Sequence, residues 1–124
     1  MFKHAIPVLH VSDSVAAMEF YCGRLGFQAR FAYRPDPANP NPCYMGLDRD
    51  DVSLHLSSFS GDGVSGGLEF LLVDDLDGLH MELLAKGVPI DLEPTDQIWG
   101  NREMYVKDLD GNSLRFILVT PSEG

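Results

Sequence analysis

The first half of the chain opens with an extended apolar run and continues with a pattern of helical period. Residues 6–11 form the extended run, and Ser12 or Asp13 then offers a side-chain oxygen that caps a helix. Apolar residues next recur every three to four positions, which favours a helix with one buried side. These residues are Val15, Met18, Tyr21, Cys22 and Leu25. Gly26 follows them, and because glycine readily adopts a positive φ, it is predicted to end the helix.

The second half of the chain has the same order of patterns. Residues 68–73 form another extended run, Asp74 or Asp75 is the predicted cap, and Gly87 is the predicted end of a second helix. The apolar residues of this helix are Leu76, Leu79, Leu83 and Leu84. Three extended segments are predicted after each helix, at 27–33, 43–47 and 52–57 in the first half and at 88–92, 103–107 and 113–119 in the second.

The two halves are also similar residue by residue. Positions in one half recur 60 residues later in the other: Asp48, Asp50, Ser53, Leu54 and Leu56 as Asp108, Asp110, Ser113, Leu114 and Phe116. A repeat of this kind predicts two copies of one structural unit. We therefore predict an α+β fold of two tandem βαβββ modules with mostly antiparallel sheets. Module one is expected at 1–58, a Gly- and Ser-rich linker at 59–66 and module two at 67–120, with a proline-rich loop at 35–42.

Composition and charge narrow the classes of function. The 124 residues are 44% hydrophobic and carry a net charge of −10, which suits one soluble domain and disfavours nucleic-acid and membrane partners. No run is long enough for a transmembrane helix, and the first residues lack the pattern of a secretory signal, so we expect a cytoplasmic protein. The two cysteines form no CxxC pair, which disfavours a disulfide scaffold and structural zinc.

Three segments of the chain together resemble one known family. They are IPVLHVSDSVAAMEFYCGRLGF near the start, DDVSLHLS in the middle and IWGNREMYVKDLDGNSLRF near the end. In this order they resemble the vicinal oxygen chelate superfamily of glyoxalases, extradiol dioxygenases and bleomycin-resistance proteins, and most of all the bleomycin-resistance branch. The resemblance implies two βαβββ modules whose curved sheets enclose a cleft, usually in a dimer.

The resemblance also locates the positions that bind a divalent metal in the superfamily's enzymes. They correspond here to Ile6, His55, Leu68 and Arg115. Two of these side chains are aliphatic and arginine offers no acceptor, so a single imidazole remains and no metal or other cofactor is expected. We therefore favour a protein without catalytic residues. The alternative is a metal-dependent enzyme of the same superfamily, with His55 joined by His10, Glu69 or Glu103 as ligands.

Four residues near the predicted cleft are candidates for ligand binding. His55 alternates with Leu54 and Leu56 and should face the cleft, either as a ligand contact or as a hydrogen-bonded wall residue. Arg115 is its equivalent in the second module and either binds a carboxylate or pairs with an acidic neighbour. Trp99, followed by Gly100, resembles the drug-contacting Trp-Gly segment of the resistance proteins. The alternative interpretation is that the Trp99 side chain fills space in the core or in an interface.

Further candidates are aromatic or acidic. Phe31 and Tyr33 share one strand face, and Phe59 follows a strand, so these rings either stack on a planar ligand or pack within the protein. Glu103 either binds a cation or holds Arg102.

The favoured hypothesis is a binding protein that sequesters a small planar or cationic molecule, such as a glycopeptide antibiotic of the bleomycin type, and so confers resistance. A ligand unrelated to antibiotics is equally compatible with the sequence. Pro7 cannot donate a hydrogen bond within a sheet, and the resistance proteins carry a proline at the matching place in a strand that crosses to the partner. We therefore predict a homodimer with an exchanged N-terminal strand.

Overall fold

The computed structural model describes residues 1–120, which form eight strands and two helical segments. The strands are β1 Val8–His10, β2 Gln28–Tyr33, β3 Tyr44–Arg49, β4 Val52–Ser57, β5 Leu68–Leu72, β6 Leu92–Asp96, β7 Arg102–Lys107 and β8 Ser113–Leu118. The helices are α1 Ser14–Met18, which continues as a π-helical segment Glu19–Arg24, and α2 Leu76–Ala85. Within residues 1–120, neither helix has the length and apolar character needed to cross a bilayer.

The strands form two sheets of identical topology. The first sheet has the order β1-β4-β3-β2 and the second has the order β5-β8-β7-β6. β1 runs parallel to its neighbour β4, and β5 runs parallel to its neighbour β8. All the other neighbouring strands are antiparallel. The predicted α+β fold of two βαβββ units is therefore confirmed.

The repeat in the sequence corresponds to equivalent places in the two sheets. His55 on β4 lies opposite Val8 on β1, and Arg115 on β8 lies opposite Phe70 on β5. Because successive residues of a strand point to opposite faces, His55 and Arg115 both point away from the buried leucines Leu54 and Leu114 beside them. We call these outward surfaces the open face of the first sheet and the open face of the second sheet.

The first helix differs from the predicted regular helix. Asp13 caps it and Gly26 ends it with φ of 77°, both as predicted. In between, Leu25 N–H donates to the Phe20 carbonyl five residues earlier at 3.0 Å, which is π-helical geometry. The wider turn shifts the residues after it around the helix axis, so one regular stripe cannot include both ends of the helix. Before the turn, Ser14 and Ala17 are buried, and the predicted stripe is wrong at Val15, which is 56% exposed.

The second helix follows the prediction more closely. Asp75 caps it by accepting from the Gly78 N–H at 3.0 Å, and Gly87 follows it with φ of 71°. Leu76 and Leu83 are buried, whereas Leu84 is exposed, so the predicted apolar stripe is wrong at Leu84.

The strand predicted at 88–92 is wrong, because β6 begins only at Leu92. The Val88 N–H instead donates to the Leu83 carbonyl at 3.0 Å, so this residue closes the turn that follows α2. Val88 is buried there, which explains why its apolar character suggested a strand. The segment between Val88 and Leu92 connects the helix to the sheet.

A buried carboxylate joins the two halves of the chain. Asp108, in the turn before β8, accepts from the Tyr21 hydroxyl at 2.7 Å and from Asn112 Nδ2 at 2.8 Å. Asn112 Nδ2 also donates to the His10 carbonyl at 2.9 Å. Burial, followed by the nearby Asp108 carboxylate, raises the pKa of the Tyr21 phenol far above its ordinary value. Tyr21 therefore stays a hydrogen-bond donor to Asp108 throughout the neutral range.

We expect Tyr21→Phe to lower the free energy of unfolding by about 1–3 kcal/mol, because Asp108 would lose a buried donor. Urea denaturation at neutral pH measures this change. Tyr33→Phe is the matched control, since the Tyr33 side chain is exposed and its hydroxyl has no hydrogen bond within residues 1–120. An equal, small effect of the two substitutions would contradict the role assigned to Tyr21.

Candidate functional site

The open face of the first sheet carries a group of aromatic side chains from three strands. The Phe31 ring stacks on Tyr44 with centroids 6.2 Å apart, and its edge-to-face contact with His55 spans 5.4 Å. The Tyr44 hydroxyl lies 2.8 Å from His55 Nδ1, within hydrogen-bond distance. His55 therefore has a polar partner on its own sheet, which agrees with the reading of a hydrogen-bonded wall residue.

Gly46 makes this packing possible. It lies on β3 opposite His55, and the Phe31 ring rests directly against its backbone. A Cβ at this position would overlap the ring carbons of Phe31, so any other residue would displace the ring. Near one end of the same face, Tyr33 and Phe59 stack in parallel with centroids 6.3 Å apart. The predicted residues Phe31, Tyr33, His55 and Phe59 thus lie on or beside one surface.

On the open face of the second sheet, Glu103 holds two aromatic side chains. It is only 4% exposed, and its Oε2 accepts from Trp99 Nε1 at 2.8 Å while its Oε1 accepts from the Tyr105 hydroxyl at 2.6 Å. The hydrogen bond that the Tyr105 hydroxyl donates to Glu103 raises the pKa of the Tyr105 phenol. Glu103 therefore fixes the direction of the indole.

The alternative role of Glu103, holding Arg102, is wrong. The Arg102 guanidinium instead donates to Asp77 at 3.0 Å and to Asp96 at 3.1 Å. Because side chains alternate along β7, Arg102 and Glu103 point to opposite sides of the sheet. Adjacent residues on a strand do not share a face, which explains the error.

Trp99 is not a core plug in this chain, since its side chain is 61% exposed. It lies in the turn between β6 and β7, where the Gly100 N–H donates to the Gln97 carbonyl at 2.9 Å. Gly100 has φ of 102°, a conformation that favours glycine. Gly100 thus shapes the turn that presents the indole.

Arg115 stacks on an aromatic ring. In the described part of the chain, no carboxylate forms an ion pair with it. Its guanidinium carbon lies 4.3 Å from the centroid of the Tyr105 ring, and its Nε is buried without a hydrogen bond. The neighbouring strand places Phe70 beside it, and that side chain is 60% exposed. Arg115 therefore lies between two aromatic residues on the open face.

The structure brings the predicted site residues together as two groups, one on each sheet. Trp99, Glu103 and Arg115 form the second group. Sequence reasoning missed Tyr44, Tyr105 and Phe70, which share these faces. Alternation was a signal for Phe70, two residues from Leu68, and for Tyr105, two residues from Glu103. Tyr44 had no such signal, because no candidate residue was recognised on its strand.

A divalent metal does not fit the residues at the superfamily's metal positions. Ile6 and Leu68 are partly exposed hydrocarbons, and Arg115 is a cation. Within residues 1–120, no three His, Cys, Asp or Glu side chains are grouped so that they could hold a metal ion. The suggested replacement ligand Glu69 is wrong, because it pairs with Leu114 and points to the buried face.

A surface cavity lies away from both aromatic groups. It has a volume of about 670 Å³ and lies between the turn joining β3 to β4 and the start of α2. Its lining includes Phe27, Val52, Leu71, Asp74 and Leu79. The candidate site therefore consists of open sheet surfaces and not of a closed pocket within one chain.

With two βαβββ units of the same topology, the protein is a two-module α+β protein. Residues 2–116 match the model of the Glyoxalase/Bleomycin resistance protein/Dioxygenase superfamily, and the chain belongs to this family. No match was found among curated proteins.

Solved structures with the same fold include two bleomycin-related proteins. The chain is 26% identical to a bleomycin resistance determinant encoded on the transposon Tn5, with a TM-score of 0.78 and coverage of 97% of this chain and 100% of that one. It is also 26% identical to a bleomycin-binding protein solved with bleomycin, with a TM-score of 0.75 and coverage of 96% and 100%. TioX from Micromonospora sp. ML1, at 21% identity, a TM-score of 0.75 and coverage of 96% and 100%, shares the fold.

We expect Glu103→Ala to release the Trp99 indole, because the indole N–H loses its acceptor. Acrylamide should then quench the fluorescence of this single tryptophan more strongly, and its fluorescence anisotropy should decay faster. Glu93→Ala, at an exposed position on β6, is the matched control and should leave both measurements unchanged. Unaltered quenching in a folded Glu103→Ala protein would show that the carboxylate does not fix the ring.

Proposed function

We propose that this protein binds and sequesters a small planar molecule, an antibiotic of the bleomycin type, without converting it chemically. The observation that carries this proposal is the exposed Trp99 indole, held in place by the buried Glu103 carboxylate. An aromatic ring that is both exposed and fixed loses little side-chain entropy when a ligand stacks on it. The 26% identity to two bleomycin-related proteins supports the same ligand class.

The aromatic side chains of the two open faces support a planar ligand. Phe31 and Tyr33 on the first sheet and Phe70 and Trp99 on the second are all exposed to solvent in the single chain. Several exposed aromatic side chains on one surface are typical of a binding surface. A net charge of −10 also attracts cationic molecules to the protein from solution.

A homodimer is the second part of the proposal, because a second copy would cover part of this exposed surface and turn open faces into a cleft. Residues 1–6 are exposed and lie outside the first sheet. β1 itself pairs with β4 of the same chain, so an exchanged arm would consist mainly of the residues before Pro7. The Pro7 carbonyl accepts from the His55 N–H at 2.9 Å and marks the point where the arm joins the sheet.

We expect Trp99→Ala to weaken the binding of copper-loaded bleomycin by roughly 1–3 kcal/mol, the range for a large aromatic contact. The free energy of unfolding should change little, because the side chain is exposed. Isothermal titration calorimetry and thermal unfolding measure the two effects.

Ile98→Ala is the matched control for this substitution. The adjacent Ile98 side chain is also large, apolar and fully exposed, but as a hydrocarbon it forms no hydrogen bond that would fix its orientation. It should bind bleomycin like the wild type. Equal affinities of all three proteins would remove Trp99 from the site, and a large loss of stability in Trp99→Ala would restore the core reading.

We expect a dimeric mass in sedimentation equilibrium at micromolar concentration. Pro7→Ala should loosen the dimer without unfolding the modules, because it removes the fixed φ at the base of the arm. Pro37→Ala, in the exposed loop between β2 and β3, is the matched control. A monomeric wild-type protein at these concentrations would refute the dimer.

A further inference from the structure

We infer that Arg115 on the open face of the second sheet binds an anionic group of the ligand, a carboxylate or a related oxyanion. This inference rests on the proposed function, because it describes the same site. Within the proposed class of small planar molecules, it adds the requirement of an acidic group.

Arg115 stands out among the arginines of the described chain. Four others have a carboxylate oxygen within 4 Å, as the shortest contact of each shows: Arg24 with Glu19 at 3.6 Å, Arg30 with Asp48 at 2.7 Å, Arg49 with Glu82 at 2.7 Å and Arg102 with Asp77 at 3.0 Å. Within residues 1–120, no carboxylate lies that close to Arg115. Arg34 also lacks a carboxylate within 4 Å in the part of the chain that the structure describes, but it donates to the Pro40 carbonyl at 3.2 Å. Among the arginines of residues 1–120, Arg115 is thus the one whose guanidinium has neither a carboxylate nor a hydrogen-bond acceptor.

The nearest acidic candidate on the same face is already engaged. Each carboxylate oxygen of Glu103 accepts a hydrogen bond, one from Trp99 and one from Tyr105. Tyr105 in turn supplies a ring, and not an anion, to the Arg115 guanidinium at 4.3 Å. Both Glu103 oxygens therefore already accept a hydrogen bond from a neutral donor, and Arg115 has no carboxylate within 4 Å in residues 1–120.

The Arg115 side chain has an unsatisfied hydrogen-bond donor. Its Nε is buried and has no hydrogen-bond partner, and a buried donor without a partner costs free energy. A planar guanidinium matches the two oxygens of a carboxylate through its other N–H donors as well, and the Arg115 residue is only partly buried. Because Phe70 and Tyr105 flank Arg115 on the neighbouring strands, the ligand's acidic group should be attached to an aromatic ring.

Three probes with one ring system and different charges test this inference: 1-naphthoate, 1-naphthalenemethanol and 1-naphthylmethylammonium. Calorimetry and Trp99 fluorescence measure their affinities for the wild-type protein. We expect naphthoate to bind about tenfold more tightly than the neutral alcohol, although the net charge of the chain opposes it.

Arg115→Gln should lower the affinity for naphthoate to that for the alcohol and leave the affinity for the alcohol unchanged. Arg115→Lys should retain part of the preference, because it keeps the charge but not the planar fork. Arg34→Gln is the matched control: it removes the same charge from an arginine that donates only to the Pro40 carbonyl, and it should bind all probes like the wild type.

The outcomes separate the inference from the proposed function. If the alcohol or the ammonium probe binds as tightly as naphthoate, or if Arg115→Gln folds and keeps the preference for naphthoate, the inference is overturned while planar binding stands. If no probe binds at high micromolar concentration and copper-loaded bleomycin does not bind either, the proposed function fails and the inference fails with it.

Discussion

The arrangement of the two modules depends on the buried Asp108 carboxylate. Its Oδ2 accepts from Tyr21 of the first module, and both of its oxygens accept from Asn112. Asn112 extends the contact by donating to the His10 carbonyl and by accepting from the Gly66 and Gly67 N–H groups. A buried carboxylate is stable only when its oxygens are hydrogen-bonded, so the turn before β8, the first helix and the residues just before β5 hold one geometry together.

The candidate site uses the same physical principle for a different purpose. Glu103 is buried and hydrogen-bonded through both oxygens, as Asp108 is, but its donors are side chains at the surface of the open face. The result is a fixed indole and a fixed phenol in a region without a closed pocket. Arg115, stacked on that phenol, has no carboxylate oxygen within 4 Å in residues 1–120. Stacking surface and an unused cation are therefore adjacent.

The sequence predicted the fold well because the repeat, the caps and the terminal glycines are local signals. It failed at Val15, because nothing local distinguishes a π-helical segment from an α-helix, and at residues 88–91, because a buried helix end resembles a strand. For the site, alternation placed His55 and Arg115 on the open faces. The partners Tyr44 and Tyr105 are set by strand register, which a single sequence does not specify.

We propose that the fixed, exposed Trp99 forms part of a binding surface for planar ligands. Titration of the wild-type protein with copper-free bleomycin, followed through the fluorescence of its only tryptophan, measures this directly. We expect a saturable change in emission together with protection of the indole from acrylamide. Emission and quenching that stay unchanged up to high micromolar bleomycin would contradict it.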